Sequence, residues 1–98
     1  MNTLFKPVTV YTQPLCKPCD RVKKKLKEAN IDFEEVNILE NEEAYSYVKN
    51  VLKARSTPVV VSDVYEPILG YEPTQLKDLI LLVNADKIYD ATYDEVDY

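Results

Sequence analysis

The chemistry available to this chain centres on its two cysteines, which stand at positions 16 and 19 with Lys17 and Pro18 between them. They follow a segment typical of a strand and open one typical of a helix, so Cys16 is expected at or just before the helix N-terminus. Unpaired backbone N–H groups and the positive end of the helix dipole favour a thiolate at that place. The spacing therefore predicts thiol–disulfide exchange, with Cys16 as the attacking nucleophile.

The two thiols are expected to differ in charge and accessibility. The helix N-terminus and the neighbouring Lys17 should lower the pKa of Cys16 below that of a free thiol. Cys19 begins an apolar stripe, so its sulfur should point into the core and stay protonated until it acts as the resolving thiol. The stripe continues at helical spacing through Val22, Leu26 and Ala29. Other interpretations remain open here: a static disulfide, two unrelated buried thiols, or half of a zinc site shared between two chains.

The composition excludes several other kinds of site. The 98 residues contain no His, so neither a Ser/His/Asp nor a Cys/His catalytic set can be assembled. Two Cys without His cannot supply a four-ligand zinc site within one chain. A single Gly leaves no glycine-rich loop for a nucleotide phosphate. We expect no metal and no bound cofactor.

Charge and hydropathy bear on partners and location. The formal charge of −5 lies mostly in residues 84–98, which hold five acids and one base. The rest is nearly balanced and offers no basic footprint for nucleic acid. The longest apolar run, residues 79–83, is far shorter than the roughly 20 residues of a membrane span, and no signal-peptide pattern opens the chain. We expect a cytoplasmic monomer that binds neither nucleic acid nor membrane.

Hydrophobic periodicity predicts an α/β domain with the element order βαβαββα. Two early strands flanking a helix imply a parallel pair, and a later hairpin adds antiparallel strands, which gives a four-stranded mixed sheet with helices on both faces. Pro67 cannot donate to a ladder, so the last strand should lie at the sheet edge. The predicted strands are residues 7–12, 31–38, 57–61 and 64–69, and the predicted helices begin near Cys16, at Asn41 (ending near residue 54) and at Pro73.

The chain divides into a predicted domain, residues 1–83, and an acidic, tyrosine-rich C-terminal extension, residues 84–98. The extension is expected either to form a short terminal helix, which would use Tyr89, Tyr93 and Val96, or to remain unordered.

A second signal is the pair Thr57-Pro58 at the start of a buried strand. A proline there can adopt the cis form, which would present the carbonyl and N–H of Thr57 to an extended peptide. The alternative is a trans proline at the first strand position.

Three segments together carry a family resemblance. Tyr11-Thr-Gln-Pro-Leu-Cys-Lys-Pro-Cys19, Ser56-Thr-Pro-Val-Val-Val61 and Gly70-Tyr-Glu-Pro73 resemble a glutaredoxin-like redoxin of the thioredoxin superfamily, over about residues 7–83. The Gly-aromatic-x-Pro segment and residues 42–48 most resemble NrdH-type redoxins, which are hydrogen donors for ribonucleotide reductase. The resemblance implies a thioredoxin fold, a redox-active Cys16–Cys19 disulfide, a cis peptide before Pro58, and electrons drawn from NADPH through a thioredoxin-reductase-like enzyme.

The resemblance also assigns the remaining site residues. Glutaredoxins usually place Lys where this chain has Gln13, and backbone N–H groups where it has Pro73, so a glutathione site looks degraded. We therefore expect a reductant of protein disulfides. The alternatives are a glutathione-dependent glutaredoxin and a non-catalytic binding module. The predicted substrate-binding residues are Thr57, Pro58, Gly70 and Tyr71, and the predicted modulating residues are Gln13, Lys17 and Pro18.

Overall fold

The computed structural model describes the backbone of residues 7–96 and the side chains of residues 7–85. Its elements follow the predicted order βαβαββα, with a short 3₁₀ turn before the second helix. The strands are β1 (Val8–Thr12), β2 (Phe33–Asn37), β3 (Val59–Ser62) and β4 (Ile68–Leu69). The helices are α1 (Lys17–Glu28), α2 (Glu42–Ser46), which continues as a π-helical turn (Tyr47–Val51), and α3 (Pro73–Val96).

The four strands form one mixed sheet in the order β2-β1-β3-β4. β1 pairs in parallel with β2 and antiparallel with β3, and β4 pairs antiparallel with β3 at the edge. The predicted sheet is therefore confirmed. β1 ends at Thr12 and is paired with a neighbouring strand on each side. The loop that carries Cys16 therefore starts from a strand that is hydrogen-bonded along both edges.

Helices cover both faces of this sheet, and each face has its own core. The larger core lies between the sheet, α1 and α3, and the smaller lies between the sheet and α2. Alternation along the strands separates the two sets, since neighbouring residues point to opposite faces. The larger core contains Val8, Val10, Val22, Leu26, Ile31, Val60, Ile68, Leu76, Leu79 and Val83, and the smaller contains Ile38, Ala44, Val48 and Val59.

The buried face and the C-terminal end of α1 both follow from its sequence. Its buried residues are Cys19, Val22 and Leu26, as the stripe predicts. The chain leaves the helix through Asn30, whose φ of 58° lies in the left-handed region that Asn tolerates better than most residues. The N–H of Ile31 then donates to the carbonyl of Leu26 at 3.0 Å, which closes the helix end.

Several predicted bounds differ from the structure. The strands expected over 31–38 and 57–61 extend over Phe33–Asn37 and Val59–Ser62, so Thr57 and Pro58 precede β3. The strand expected over 64–69 is wrong in extent, because only Ile68–Leu69 pairs with β3. Pro67 has no N–H to donate, so pairing starts after it. The second helix begins as predicted, with the Asn41 side chain accepting from the N–H of Ala44 at 3.0 Å, but it widens into a π-helical turn and ends at Val51 instead of near residue 54.

Helix α3 is one continuous element from Pro73 to Val96 and spans the predicted boundary at residue 83. Over residues 84–96 the backbone continues α3 and does not form a separate short terminal helix. The predicted use of Tyr89, Tyr93 and Val96 lies outside the described side chains, and the division into domain and extension stays a prediction. Within residues 7–96, no helix combines the length and apolar character needed to cross a membrane.

The larger core yields a stability prediction. Leu26 is fully buried between α1 and the sheet, so Leu26→Ala should lower the free energy of unfolding by about 2–5 kcal/mol, through lost transfer energy and the cavity that remains. Urea denaturation measures the change. Leu81→Ala, at a position 58% exposed on α3, serves as the control and should change it by less than about 0.5 kcal/mol. Equal losses in the two variants would contradict this assignment of the core.

Candidate functional site

Cys16 is the N-cap of α1, one residue before the first helical residue. Its Sγ accepts a hydrogen bond from the backbone N–H of Cys19 at 3.2 Å, and its carbonyl accepts from the N–H of Asp20 at the same distance. The sulfur thus takes the place that a Ser or Asp oxygen usually has at a helix start. A donor N–H and the positive end of the helix dipole both favour negative charge on this sulfur.

The two sulfurs form a disulfide, and the Cα atoms of Cys16 and Cys19 lie 5.2 Å apart. Cys16 is partly exposed, whereas Cys19 is only 1% exposed within the core side of α1. An incoming thiol or disulfide therefore reaches the sulfur of Cys16 far more readily than that of Cys19. The difference in accessibility expected from the sequence is present.

Thr57 contacts the sulfur of Cys16. Its Oγ1 lies 3.5 Å from the Sγ of Cys16, in hydrogen-bond geometry, and the residue is buried. The Thr57–Pro58 bond is cis, as the resemblance implies. The carbonyl of Pro58 accepts from the N–H of Gly70 at 2.8 Å, which ties the start of β3 to the end of β4. Gly70 has a φ of 89°, a conformation that glycine adopts without a Cβ penalty.

The other predicted site residues are spread around this centre. Lys17 and Pro18 are exposed in the first turn of α1, beside the disulfide. Gln13 is half-buried and faces the α2 side, while Tyr71 packs on the larger core and borders a hollow between α1 and α3. The structure therefore brings Cys16, Cys19 and Thr57 together and places Gln13 and Tyr71 in separate hollows.

Leu15 was not singled out by the sequence analysis. It directly precedes Cys16, its side chain is fully exposed, and its φ is 60°. A non-glycine residue in the left-handed region is uncommon and costs about 1 kcal/mol or more, so its place beside the reactive sulfur is notable. Full exposure is a tertiary property that a local pattern does not show.

A polar network supports the strand end from which this loop leaves. The Oγ1 of Thr12 donates to Oε2 of Glu35 at 3.0 Å, and the ammonium of Lys23 lies 3.0 Å from the same oxygen. These bonds, chiefly the one from Lys23, hold the pKa of the Glu35 carboxyl below its ordinary value, and the hydrogen bond to Glu35 raises the pKa of Lys23. The network links the end of β1 to β2 and to the second turn of α1.

A groove of about 450 Å³ runs from the active loop to α2. Three cations face it, Lys49, Lys53 and Arg55, and no carboxylate is among the described residues that line it. We call it the basic groove. The sequence shows these cations only as residues around the end of a helix, and their shared orientation depends on the π-helical turn and on the positive φ of Lys53. Its lining is Gln13, Ile38, Tyr45, Val48, Lys49, Lys53, Ala54, Arg55 and Ser56.

Comparisons with known proteins agree with this geometry. The family model described as Glutaredoxin matches residues 8–64, which include both cysteines and Thr57. The chain belongs to the glutaredoxin family. It is therefore a member of a thiol–disulfide oxidoreductase family with a redox-active cysteine pair. Among its described residues, no cluster of three or more His, Cys, Asp or Glu side chains is arranged to hold a metal ion.

Named relatives of this glutaredoxin-family chain include redoxins. It is 61% identical over 80 residues to the gene 56 protein of Mycobacterium phage L5, covering 82% of this chain and 78% of the phage protein. It is 38% identical over 74 residues to the glutaredoxin-like protein NrdH of Lactococcus lactis, covering 74% and 97%. The solved structure of NrdH-redoxin from Escherichia coli superposes with a TM-score of 0.67 at 26% identity, covering 74% of this chain and 92% of that one. The thioredoxin fold that the resemblance implies is confirmed.

The polar network predicts a pH dependence of stability. The folded-state pKa of Glu35 is depressed below its ordinary 4.5, so its contribution is present above pH 4.5 and lost as pH falls below it. Glu35→Gln should therefore lower the free energy of unfolding by less than about 1 kcal/mol at neutral pH, since the pair is partly solvated.

Urea denaturation at several pH values checks this. The difference between the two proteins should shrink as pH falls below 4.5. Glu28→Gln removes an exposed carboxylate from the same helix as Lys23 and is the matched control. A deficit of Glu35→Gln that stays constant down to acid pH would contradict the ion-pair explanation.

Proposed function

We propose that this chain is a dithiol electron donor that reduces protein disulfides through Cys16 and Cys19. The observation that carries the proposal is the arrangement at the start of α1. A partly exposed sulfur accepts an N–H hydrogen bond at a helix N-terminus, and its partner sulfur is buried behind it. In such a pair, the exposed thiol can attack a substrate disulfide and the buried thiol can then release the substrate. A purely structural disulfide requires no such difference between its two sulfurs.

The reaction consists of two exchanges. In the reduced protein, the Cys16 thiolate attacks one sulfur of a substrate disulfide, forming a mixed disulfide and releasing the other substrate sulfur as a thiolate, which takes a proton from solvent. Cys19 then loses its proton and attacks the Sγ of Cys16, which releases the second substrate thiolate. Two electrons and two protons pass to the substrate, and the Cys16–Cys19 disulfide is formed. A dithiol donor must then reduce that disulfide.

The groups around Cys16 support binding of an extended substrate. Thr57 contacts the Sγ of Cys16, so a peptide lying along the start of β3 would bring its disulfide to that atom. Pro58 and Gly70 fix this segment through their 2.8 Å hydrogen bond, and Tyr71 follows directly. We assign substrate binding to Thr57, Pro58, Gly70 and Tyr71. Lys17 and Pro18 are exposed beside the sulfur. We propose that these two residues and Gln13 modulate the reactivity of the cysteine pair.

Ribonucleotide reductase is the proposed client, with a thioredoxin-reductase-like enzyme as the electron source and NADPH as the ultimate donor. The support is the similarity to proteins named NrdH together with the Gly70-Tyr-Glu-Pro73 segment. A dithiol centre of this kind must be kept reduced between turnovers, so we place the reaction in the cytoplasm. We also propose that the chain acts as a monomer.

The source of electrons is tested by a reductant comparison. The oxidised protein, mixed with a disulfide substrate, should consume NADPH in the presence of thioredoxin reductase and much more slowly, by about tenfold or more, with glutathione and glutathione reductase. The expected reason is that Gln13 lacks a positive charge and Pro73 lacks an N–H for a tripeptide carboxylate. Turnover in the glutathione system alone would replace this assignment with a glutathione-dependent glutaredoxin.

The division of roles is tested with two serine variants. Cys16→Ser should lose disulfide reduction by at least about a hundredfold, because the nucleophile is gone. Cys19→Ser should accumulate a mixed disulfide between Cys16 and the substrate, visible as a mass increase that dithiothreitol removes. Urea denaturation of the reduced proteins controls for folding. If the parent shows no reduction of any disulfide, the non-catalytic binding module becomes the better description.

A further inference from the structure

Helix α3 continues well past the core that its first half covers. It runs from Pro73 to Val96, which at about 1.5 Å per residue is a length of roughly 36 Å. Among the side chains of residues 7–85, Val83 is the last residue of α3 in the larger core. About half of the helix therefore lies beyond the residues that anchor it to the sheet.

The stripe of α3 that packs on the core changes character along the helix. Its positions, in steps of three or four residues, are Leu76, Leu79, Val83, Asp86, Asp90 and Asp94. The first three are buried apolar residues, whereas the last three are aspartates. Charged residues cannot extend an apolar core, so the packing register of α3 ends at Val83.

A second stripe, roughly a third of a turn around the helix from the first, changes in the reverse sense. Its early members, Gln75 and Asp78, are polar and exposed. It then becomes apolar at Leu82, which is 44% exposed and follows the exposed Leu81. We call its apolar part the distal stripe, which consists in the helical register of Leu82, Ala85, Tyr89, Tyr93 and Val96. The distal stripe is about 21 Å long, or nearly four helical turns.

The charges beside the distal stripe indicate what kind of partner suits it. Asp86, Asp90 and Asp94 follow one another at a spacing of four residues, and like charges at this spacing destabilise an isolated helix. Acidic residues toward a helix C-terminus are also disfavoured by the helix dipole. Within residues 84–98 a single base, Lys87, stands against five acids. A cationic partner would relieve both effects, whereas a second copy of this chain would bring further aspartates to the stripe.

We propose that the distal stripe binds an amphipathic helix of a partner protein, with apolar residues at three- and four-residue spacing bordered by Lys or Arg. Apolar contact along the stripe supplies affinity, and the contacts between cations and aspartates select the partner and fix its register. The inference goes beyond the proposed function, because it concerns where the chain is held and not which disulfide it reduces.

The position of the distal stripe leaves the reactive sulfur free. Helix α3 begins three residues after Gly70, whose N–H bonds the carbonyl of Pro58 beside the active centre. Leu82 lies about 14 Å along the helix from that end, and the stripe leads further away from it. A partner bound there would therefore not cover Cys16.

Three labelled synthetic peptides of about 15 residues, which match the stripe in length, test the proposal. The first has leucines at helical spacing bordered by lysines. The second has the same leucines bordered by glutamates, and the third has the composition of the first in an order that forms no apolar stripe. Fluorescence anisotropy at low ionic strength should give the first peptide a Kd at least about tenfold below that of either other peptide.

A charge variant tests the role of the aspartates. It carries the substitutions Asp86→Asn, Asp90→Asn and Asp94→Asn. It should bind the first peptide about tenfold more weakly than the parent does, and this difference should shrink in high salt. Because the substitutions remove like-charge repulsion within the helix, loss of helix cannot explain weaker binding, and circular dichroism checks this. The control variant removes the same charge from exposed positions outside α3 and should bind like the parent; its substitutions are Asp32→Asn, Glu40→Gln and Glu66→Gln.

An apolar variant tests the distal stripe itself. It carries Leu82→Gln, Tyr89→Gln and Tyr93→Gln, and glutamine is a good helix former, so the helix is retained. Binding of the first peptide should fall by about tenfold or more. The matched control, Leu39→Gln with Val51→Gln, changes side chains that are 61% and 65% exposed elsewhere and should keep the parent's affinity. All of these variants should reduce disulfides at the parent's rate.

The outcomes separate the inference from the function. Equal affinity for the first and third peptides, or no binding of any peptide, would overturn the helix-binding proposal and leave the redox function standing. Equal affinity for the first and second peptides would overturn the requirement for a basic partner. Sedimentation of the parent as a dimer that the apolar variant does not form would assign the stripe to a second copy instead. Peptide binding by a chain that reduces no disulfide would support this inference and remove the proposed function.

Discussion

The reactive part of this molecule depends on one contact, the hydrogen bond from the N–H of Cys19 to the sulfur of Cys16 at the start of α1. That bond exists because the helix begins one residue after Cys16, which leaves its first N–H groups without carbonyl partners. The apolar stripe of α1 then fixes the helix rotation, so Cys19 faces the core while Cys16 stays at the surface. The polarity of the helix and the burial of one face together make two chemically identical thiols unequal.

The surroundings of the sulfur are assembled from distant parts of the chain. Thr57 lies two residues before β3, which pairs with the central strand β1, and this pairing brings it to Cys16 across 41 positions of sequence. The network of Thr12, Glu35 and Lys23 secures the end of β1, where the active loop leaves the sheet. The loop that carries Cys16 is therefore held at one end by the last residue of β1 and at the other by the start of α1.

The sequence predicts the centre well because its determinants are local. The CxxC spacing, the helical stripe and the Thr-Pro pair each lie within a few residues, and the fold and the cis bond agree with them. It predicts less where tertiary contacts decide. Neither face of β2 is purely apolar in sequence, and the position of Glu35 is explained only by its partners on β1 and α1. The common orientation of Lys49, Lys53 and Arg55 follows from a π-helical turn that residue preferences do not reveal.

The edges of the sheet have a consequence for how this chain behaves at high concentration. One margin, β4, is two residues long and follows a proline, and the other, β2, carries Glu34 and Glu35. A short edge strand offers a neighbouring copy few backbone groups to pair with, and charged side chains on an edge strand disfavour its approach. A sheet whose edge strands are short or charged resists intermolecular β-pairing as the protein concentration rises.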